Sequence, residues 1–241
     1  MHNYLPRKCH VDGSLLPHLH KRKTKYQLNT GGNVTKPGYT HVSLVVDRSG
    51  SMQGMAAEST SGINSLISEQ FAEIGTFTVT LTQFDTQFDT VCRVSTQNPD
   101  YKLEPRGSTA LLDAVGNEIL ATGENLASLA EHDRPERVIF VIVTDGQENA
   151  SSNYSLEQVR ALIKQQTENY NWDFQFLGVN ETAWQGADMG MKFSSFEGTS
   201  KGSSASYKRL NHEMKRVRSS RDMSQKLEIP DFIPESDDDL L

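Results

Sequence analysis

The sequence predicts an α/β protein whose mostly parallel sheet lies between two layers of helices in a doubly wound order, with one antiparallel edge strand. Three observations carry this. Short β-branched runs alternate with segments of helical period, the most apolar run sits in the middle of the chain, and polar Gly/Ser loops follow the apolar runs. Strands joined through helices must run parallel, and a parallel sheet has both faces covered.

His41-Val-Ser-Leu-Val-Val46 is a β-branched run that ends in a polar loop, as a buried strand does. Ile63, Leu66, Ile67, Phe71 and Ile74 then recur near helical spacing between Ala56 and Ile74, with Gly75 as a stop. Thr76 to Phe84 and Gln87 to Val94 read as a hairpin about Asp85-Thr86, which supplies the antiparallel edge. A helix follows from Ala110 to Ala130, and Val138-Ile-Phe-Val-Ile-Val143 is the central strand. Ser155 is placed to cap a helix reaching Asn169, and Asp173 to Gly178 is the next strand. A short helix over Thr182–Gly190, a strand near Met191–Ser194 and a helix from Ser204 to Arg221 complete the alternation. The Ser- and Gly-rich stretch from Ser194 to Ser206 reads as a flexible link.

Residues 39–221 therefore form the expected domain, residues 1–38 a basic N-terminal extension and residues 222–241 an acidic, apolar C-terminal tail. The chain of 241 residues has a net charge of −7, unevenly laid out. Residues 1–38 hold seven Lys/Arg against one acid, residues 39–199 nine against 22, residues 200–228 eight against three, and the last thirteen none against five. The basic arms either lie on the acidic body or seek an acidic partner. Among apolar runs even Val138 to Val143 falls far short of the roughly 20 residues of a membrane helix. Cys9 and Cys92 form no paired pattern. A soluble protein of the reducing cytoplasm is expected, with no membrane partner.

The chemistry concentrates where strands run out. In Asp47-Arg48-Ser49-Gly50-Ser51 three oxygen-bearing residues occupy alternate positions, so a curling loop can aim them one way, and Gly50 allows the tight turn. Asp145 follows the central strand in Val143-Thr144-Asp145-Gly146, and Gly107-Ser108-Thr109-Ala110 precedes a helix. All three loops should open onto one crevice at the carboxyl ends of the strands. Carboxylate and hydroxyl oxygens suit a hard cation, Mg²⁺ foremost and Mn²⁺ next.

Asp-x-Ser-x-Ser, then a Thr before a helix, then Thr-Asp-Gly after an apolar strand, resembles the metal-ion-dependent adhesion site of von Willebrand factor A domains. The resemblance covers roughly residues 40–195. It implies that Ser49 and Ser51 bind the metal through their hydroxyls, Thr109 directly or through water, and Asp47 and Asp145 mainly through water. It further implies an open coordination position for a carboxylate from a protein partner, a binding role rather than catalysis. The short length and Phe176-Leu-Gly-Val-Asn180 are similar to compact bacterial and phage members. The other functions open to such a chain are a subunit of an ATPase- or chelatase-like machine and a metal-dependent hydrolase. The phosphatase pattern of two Asp flanking one residue is not met, because Ser49 stands where its general acid/base would be.

Arg48 is expected at the exposed rim, Asp85 as a turn residue, and Asp113 as a brace for the helix start rather than a ligand. Cys9, His10, His18 and His20 match no zinc spacing and read as part of a solvated arm. That arm, with Lys21-Arg-Lys23 and Lys25, offers little interleaved aromatic surface for nucleic acid. The tail from Leu227 to Leu241 either docks on a partner or packs on the basic last helix, since its prolines exclude a helix.

Overall fold

The computed structural model describes residues 35–236, so the Cys9/His10/His18/His20 cluster, the basic arm and the final Asp-Asp-Asp-Leu-Leu lie outside the described residues. Seven strands form one sheet: β1 (Lys36–Asp47), β2 (Thr76–Phe84), β3 (Phe88–Ser95), β4 (Pro135–Thr144), β5 (Asp173–Val179), β6 (Lys192–Phe196) and β7 (Phe232–Ile233). Their order is β3-β2-β1-β4-β5-β6-β7. All neighbours run parallel except β2 and β3, the predicted hairpin, which leaves β3 as the antiparallel edge.

Alternation along the strands sorts the core into two layers. Val42, Leu44 and Val46 of β1 face α1 (Ala56–Ala72) and α5 (Ser200–Ser219), meeting Ile63, Ile67, Leu210 and Met214. Val45, Phe140 and Ile142 face α2 (Leu111–Ser128), α3 (Leu156–Tyr170) and α4 (Trp184–Met189), meeting Val115, Ile119, Val159 and Met189. β4 is sealed on both sides, which is why its sequence is continuously apolar. Ser155 caps α3 in a capping box with Gln158. No helix among the described residues is long and apolar enough to cross a membrane.

One expectation is corrected and another is extended. The stretch from Ser194 to Ser206 is not a link: β6 runs to Phe196, Thr199 caps α5 by accepting from the Gly202 amide, and the helix starts at Ser200. Its small residues serve close packing, with Ser203 Oγ 3.3 Å from Ser59 Oγ on α1 and Gly62 pressed on the Tyr207 ring. The segment after α5 packs on that helix, as one of its two readings had it, with Arg216 donating to Gln225 Oε1 and to the Lys226 carbonyl, and it also joins the sheet. Arg137 Nη1 donates to the Gln225 carbonyl at 2.6 Å, the Leu227 amide donates to Asp173 Oδ2 at 2.6 Å, and β7 then pairs with β6. Leu227, Ile229 and Ile233 are core residues, so the sheet takes in residues on both sides of the 39–221 span. The prolines that bar a helix leave an extended edge strand available.

Candidate metal centre

Parallel strands bring their carboxyl ends to one side, and β1 and β4 are neighbours there. Asp47, the last residue of β1, is fully buried. Its Oδ1 accepts from the Ser49 amide at 2.6 Å, an Asx-type turn that curls the chain, and its Oδ2 accepts from Thr144 Oγ1 at 2.5 Å across the sheet. A single 3₁₀ stretch, Gly50–Met55, begins at once. Ser49 Oγ lies 3.0 Å from Ser51 Oγ, and Ser51 Oγ donates to Asp145 Oδ1 at 2.6 Å. Four of the five predicted ligand residues thus form one hydrogen-bonded chain.

The fifth, Thr109, arrives with its loop. Arg106 N donates to the Arg48 carbonyl at 2.7 Å and Gly50 N to the Gly107 carbonyl at 3.2 Å, so backbone bonds sew this loop to the first. On its other side the Thr109 amide donates to Asn149 Oδ1, and the Asn149 and Ala150 amides donate to the Thr109 carbonyl. Gly146 shows how tightly the loops converge. A β-carbon there would sit 2.6 Å from Thr109 Oγ1, 3.0 Å from Asp47 Oδ2 and 3.3 Å from Ser49 Oγ. Three oxygens from two loops therefore border one point on the third, which only a residue without a side chain leaves open. An all-oxygen set of this kind fits a small hard cation.

The electrostatics agree with that fit. Burial pushes the Asp47 carboxyl up from 3.8 to about 6 despite the hydrogen bonds from Thr144 and Ser49, and the charge of Asp145 adds to the rise. Burial also raises Asp145, against the hydrogen bond from Ser51. Neither carboxylate has an ion pair among the described residues. One buried and one half-buried carboxylate facing one cradle favour an incoming cation, which stabilises their ionised forms.

Supports around the set were not assigned from sequence. Thr144 orients Asp47 and also receives the Gly146 amide at 2.9 Å. Glu148 accepts from Leu112 N at the start of α2, from the Ala150 and Ser151 amides and from Ser151 Oγ. Gln185 of α4 donates to the Gly146 carbonyl at 3.0 Å and accepts from the Glu148 amide at 2.8 Å. Asp113 braces as expected, but its target is the loop after β4: it accepts from the amides of Ser152, Asn153 and Tyr154.

Arg48 is corrected. It is 5% exposed and turned under the loop, with Nε donating to Asp85 Oδ2 at 3.0 Å and an ion pair to Asp89. Asp85 is accordingly more than a turn residue: besides receiving the Gln87 amide it binds Arg106 Nε at 2.7 Å. The arginine left at the rim is Arg106. The alternation that aligns Asp47, Ser49 and Ser51 sends Arg48 to the opposite side, toward the β2–β3 hairpin.

No family model and no curated protein sequence matches the chain. Its structure is similar to the PilB minor pilin from Streptococcus sanguinis, at 15% identity over 74% of this chain and 62% of that one, with a TM-score of 0.53. It is also similar to a von Willebrand factor type A protein from Catenulispora acidiphila, at 10% identity over 73% and 43%, TM-score 0.52. Proximal thread matrix protein 1 from the mussel byssus, solved with a zinc-occupied MIDAS motif, aligns at 11% identity over 72% and 47%, TM-score 0.54. This chain spans less than two thirds of the length of each of these three. The fold is the von Willebrand factor A type.

Proposed function

We propose that this protein is a metal-dependent, adhesion-type binding module, with Mg²⁺ as the ion and a carboxylate of a protein partner as the docked group. The observation that carries the reading is the convergence of Thr109, Asp47 and Ser49 oxygens on the point beside Gly146, continued through Ser51 to Asp145. The zinc-occupied motif of the byssus protein supports it by analogy of fold.

The metal supplies an electrophilic position for an anionic oxygen. Ser49, Ser51 and Thr109 would present hydroxyls to it, while Asp47 and Asp145 hold the negative charge in place behind them. Thr144 and the Ser49 amide fix the Asp47 carboxylate, so its orientation does not wait on the ion. Gln185 and Glu148 hold the Gly146 corner still. Few protein charges then touch the ion directly, so it stays electrophilic and a partner's carboxylate is attracted. Binding rather than turnover is favoured because the three hydroxyls face carboxylate or hydroxyl oxygens and the glycine corner, not a histidine or lysine base. A cytoplasmic setting is part of the proposal and rests on the sparse use of cysteine at Cys9 and Cys92.

Partner capture in Mg²⁺ and again in chelator tests the proposal. The same protein should be held in Mg²⁺, released by chelator, and missed by the Asp47→Ala variant. Capture indifferent to both changes would sink it.

A further inference from the structure

The metal face carries one feature that the ligand set leaves unused, the indole of Trp184. It is 51% exposed, in a protein whose other tryptophan, Trp172, is buried. Among the described residues the other exposed large hydrophobics lie elsewhere. Ile74 and Tyr170 are at the far ends of α1 and α3, Leu120 is on the outer side of α2, and Val91 and Phe232 are on the two edge strands. Trp184 alone of these lies at the carboxyl ends of the central strands, as the first residue of α4 after the turn that leaves β5.

Its neighbour in the chain touches the candidate metal centre. Gln185 reaches the Gly146 carbonyl at 3.0 Å, and Gly146 is the corner bordered by Thr109, Asp47 and Ser49. The loop is also stiff. Thr182 and Ala183 amides donate to the Val179 carbonyl, Asn180 N donates to the Phe196 carbonyl, and the indole Nε1 donates to the Glu181 carbonyl at 2.9 Å. The tryptophan's one polar atom is thereby satisfied within its own loop, leaving an apolar ring held toward solvent. A pre-organised, half-exposed Trp is the residue type that most often dominates binding energy at an interface.

We infer that Trp184 is the second contact of the docking face, and that the occupant is an extended segment of a protein partner pairing one carboxylate with one large apolar side chain. This rests on the metal-docking proposal. The complementarity argues for a single acid. The body around the site is strongly acidic in sequence, so only the carboxylate facing the ion is attracted, and the flanking position is better filled by an apolar group over the indole. Spacing follows from the sheet. The metal loops end β1 and β4, the Trp184 loop ends the next strand, and strands are about 4.8 Å apart with about 3.3 Å per extended residue. The apolar side chain should stand about two or three residues from the acid.

The test is selection of random linear peptides on the full chain in Mg²⁺, repeated in chelator and on the Trp184→Ala variant. Recovered peptides should carry Asp or Glu with an aromatic or aliphatic residue at a fixed short spacing, and chelator should release them. On Trp184→Ala the acid should persist while the apolar position loses its preference. A wild-type-selected peptide should bind the variant about 10- to 30-fold more weakly. Mn²⁺ affinity measured calorimetrically should be unchanged, showing that the variant folds and keeps its metal site. Acid- and Mg²⁺-dependent peptides with no apolar preference, or with one that survives in the variant, would overturn the Trp184 assignment and leave metal docking standing. Peptides that ignore acid and metal, or no Mg²⁺-dependent binder at all, would overturn both.

Discussion

Replacing Asp47 by asparagine should make the metal-free protein more stable while abolishing its response to Mg²⁺. Asp47 is fully buried, and burial raises its carboxyl from 3.8 to about 6, so at neutral pH the fold holds a charge it would rather lose. A shift of about two units corresponds to about 3 kcal/mol of destabilisation. Because the folded value lies above the unfolded one, the penalty is complete above pH 6, shrinks as pH falls, and is gone below 3.8, where both states are protonated. The amide of the substituted side chain still accepts from the Ser49 amide. Thr144, which lies 3.3 Å from the Gly146 carbonyl, can turn its proton there instead. In chelator near pH 8 the variant should melt about 6–12 °C above wild type, since 1 kcal/mol moves a domain of this size by about 2–4 °C. The difference should close toward pH 4. Adding Mg²⁺ should reverse the order: wild type gains about 4.1 kcal/mol at about 1,000-fold excess over its dissociation constant, more than the penalty it carries, and the variant gains almost none. Differential scanning fluorimetry across pH, with and without Mg²⁺, reads all of this. A variant no more stable than wild type at high pH would refute the claim that Asp47 is held at a cost. One that gains as much from Mg²⁺ would remove it from the ligand set.

Gly146→Ala places a methyl group 2.6 Å from Thr109 Oγ1, so Mn²⁺ affinity measured by calorimetry should fall at least about tenfold with far-ultraviolet circular dichroism unchanged; equal affinity would contradict the cradle. His41 is buried and its pKa is lowered from 6.5 to about 4, first by burial and then by the charge of Arg93. The unfolded chain therefore takes up the proton first. Stability should drain away as pH falls from 6.5 toward 4, by up to about 3 kcal/mol, and His41→Gln should flatten that slope in urea titrations. Leu227→Ala should cost about 2–5 kcal/mol in the same titrations, because Leu227 is wholly buried; a neutral result would mean that the segment after α5 lies loosely on the sheet.

What was legible in the sequence was what is local. β4 is buried on both faces, so its run of Val, Ile and Phe needs no partner to be recognised, and the hairpin announces itself through β-branched residues around Asp85-Thr86. The candidate ligand residues were legible because each sits within a few positions of a strand end or helix start, and parallel topology then gathers them without further information. Contacts between distant segments were opaque. The Ser/Gly stretch at the start of α5 has the composition of a linker, yet its small side chains permit the approach to α1 at Ser59 and Gly62. The segment 222–236 has two prolines and acids, and only the carboxylate of Asp173 and the free edge of β6 turn it into a strand and a source of core residues.

Arg48 marks a different limit, because its signal was present. An alternating loop that points Asp47, Ser49 and Ser51 one way must point Arg48 the other, and the hairpin on that side carries Asp85 and Asp89. A guanidinium between two carboxylates is neutralised where it lies, and it ties the first metal loop to the hairpin instead of offering charge to a partner. Arg106 completes the arrangement: its backbone amide holds the Arg48 carbonyl and its side chain shares Asp85. The positive charges nearest the site are thus committed to holding two of its loops together. Attraction for an acidic partner then falls to the ion itself, so the docking face should take up a carboxylate only when the metal is bound.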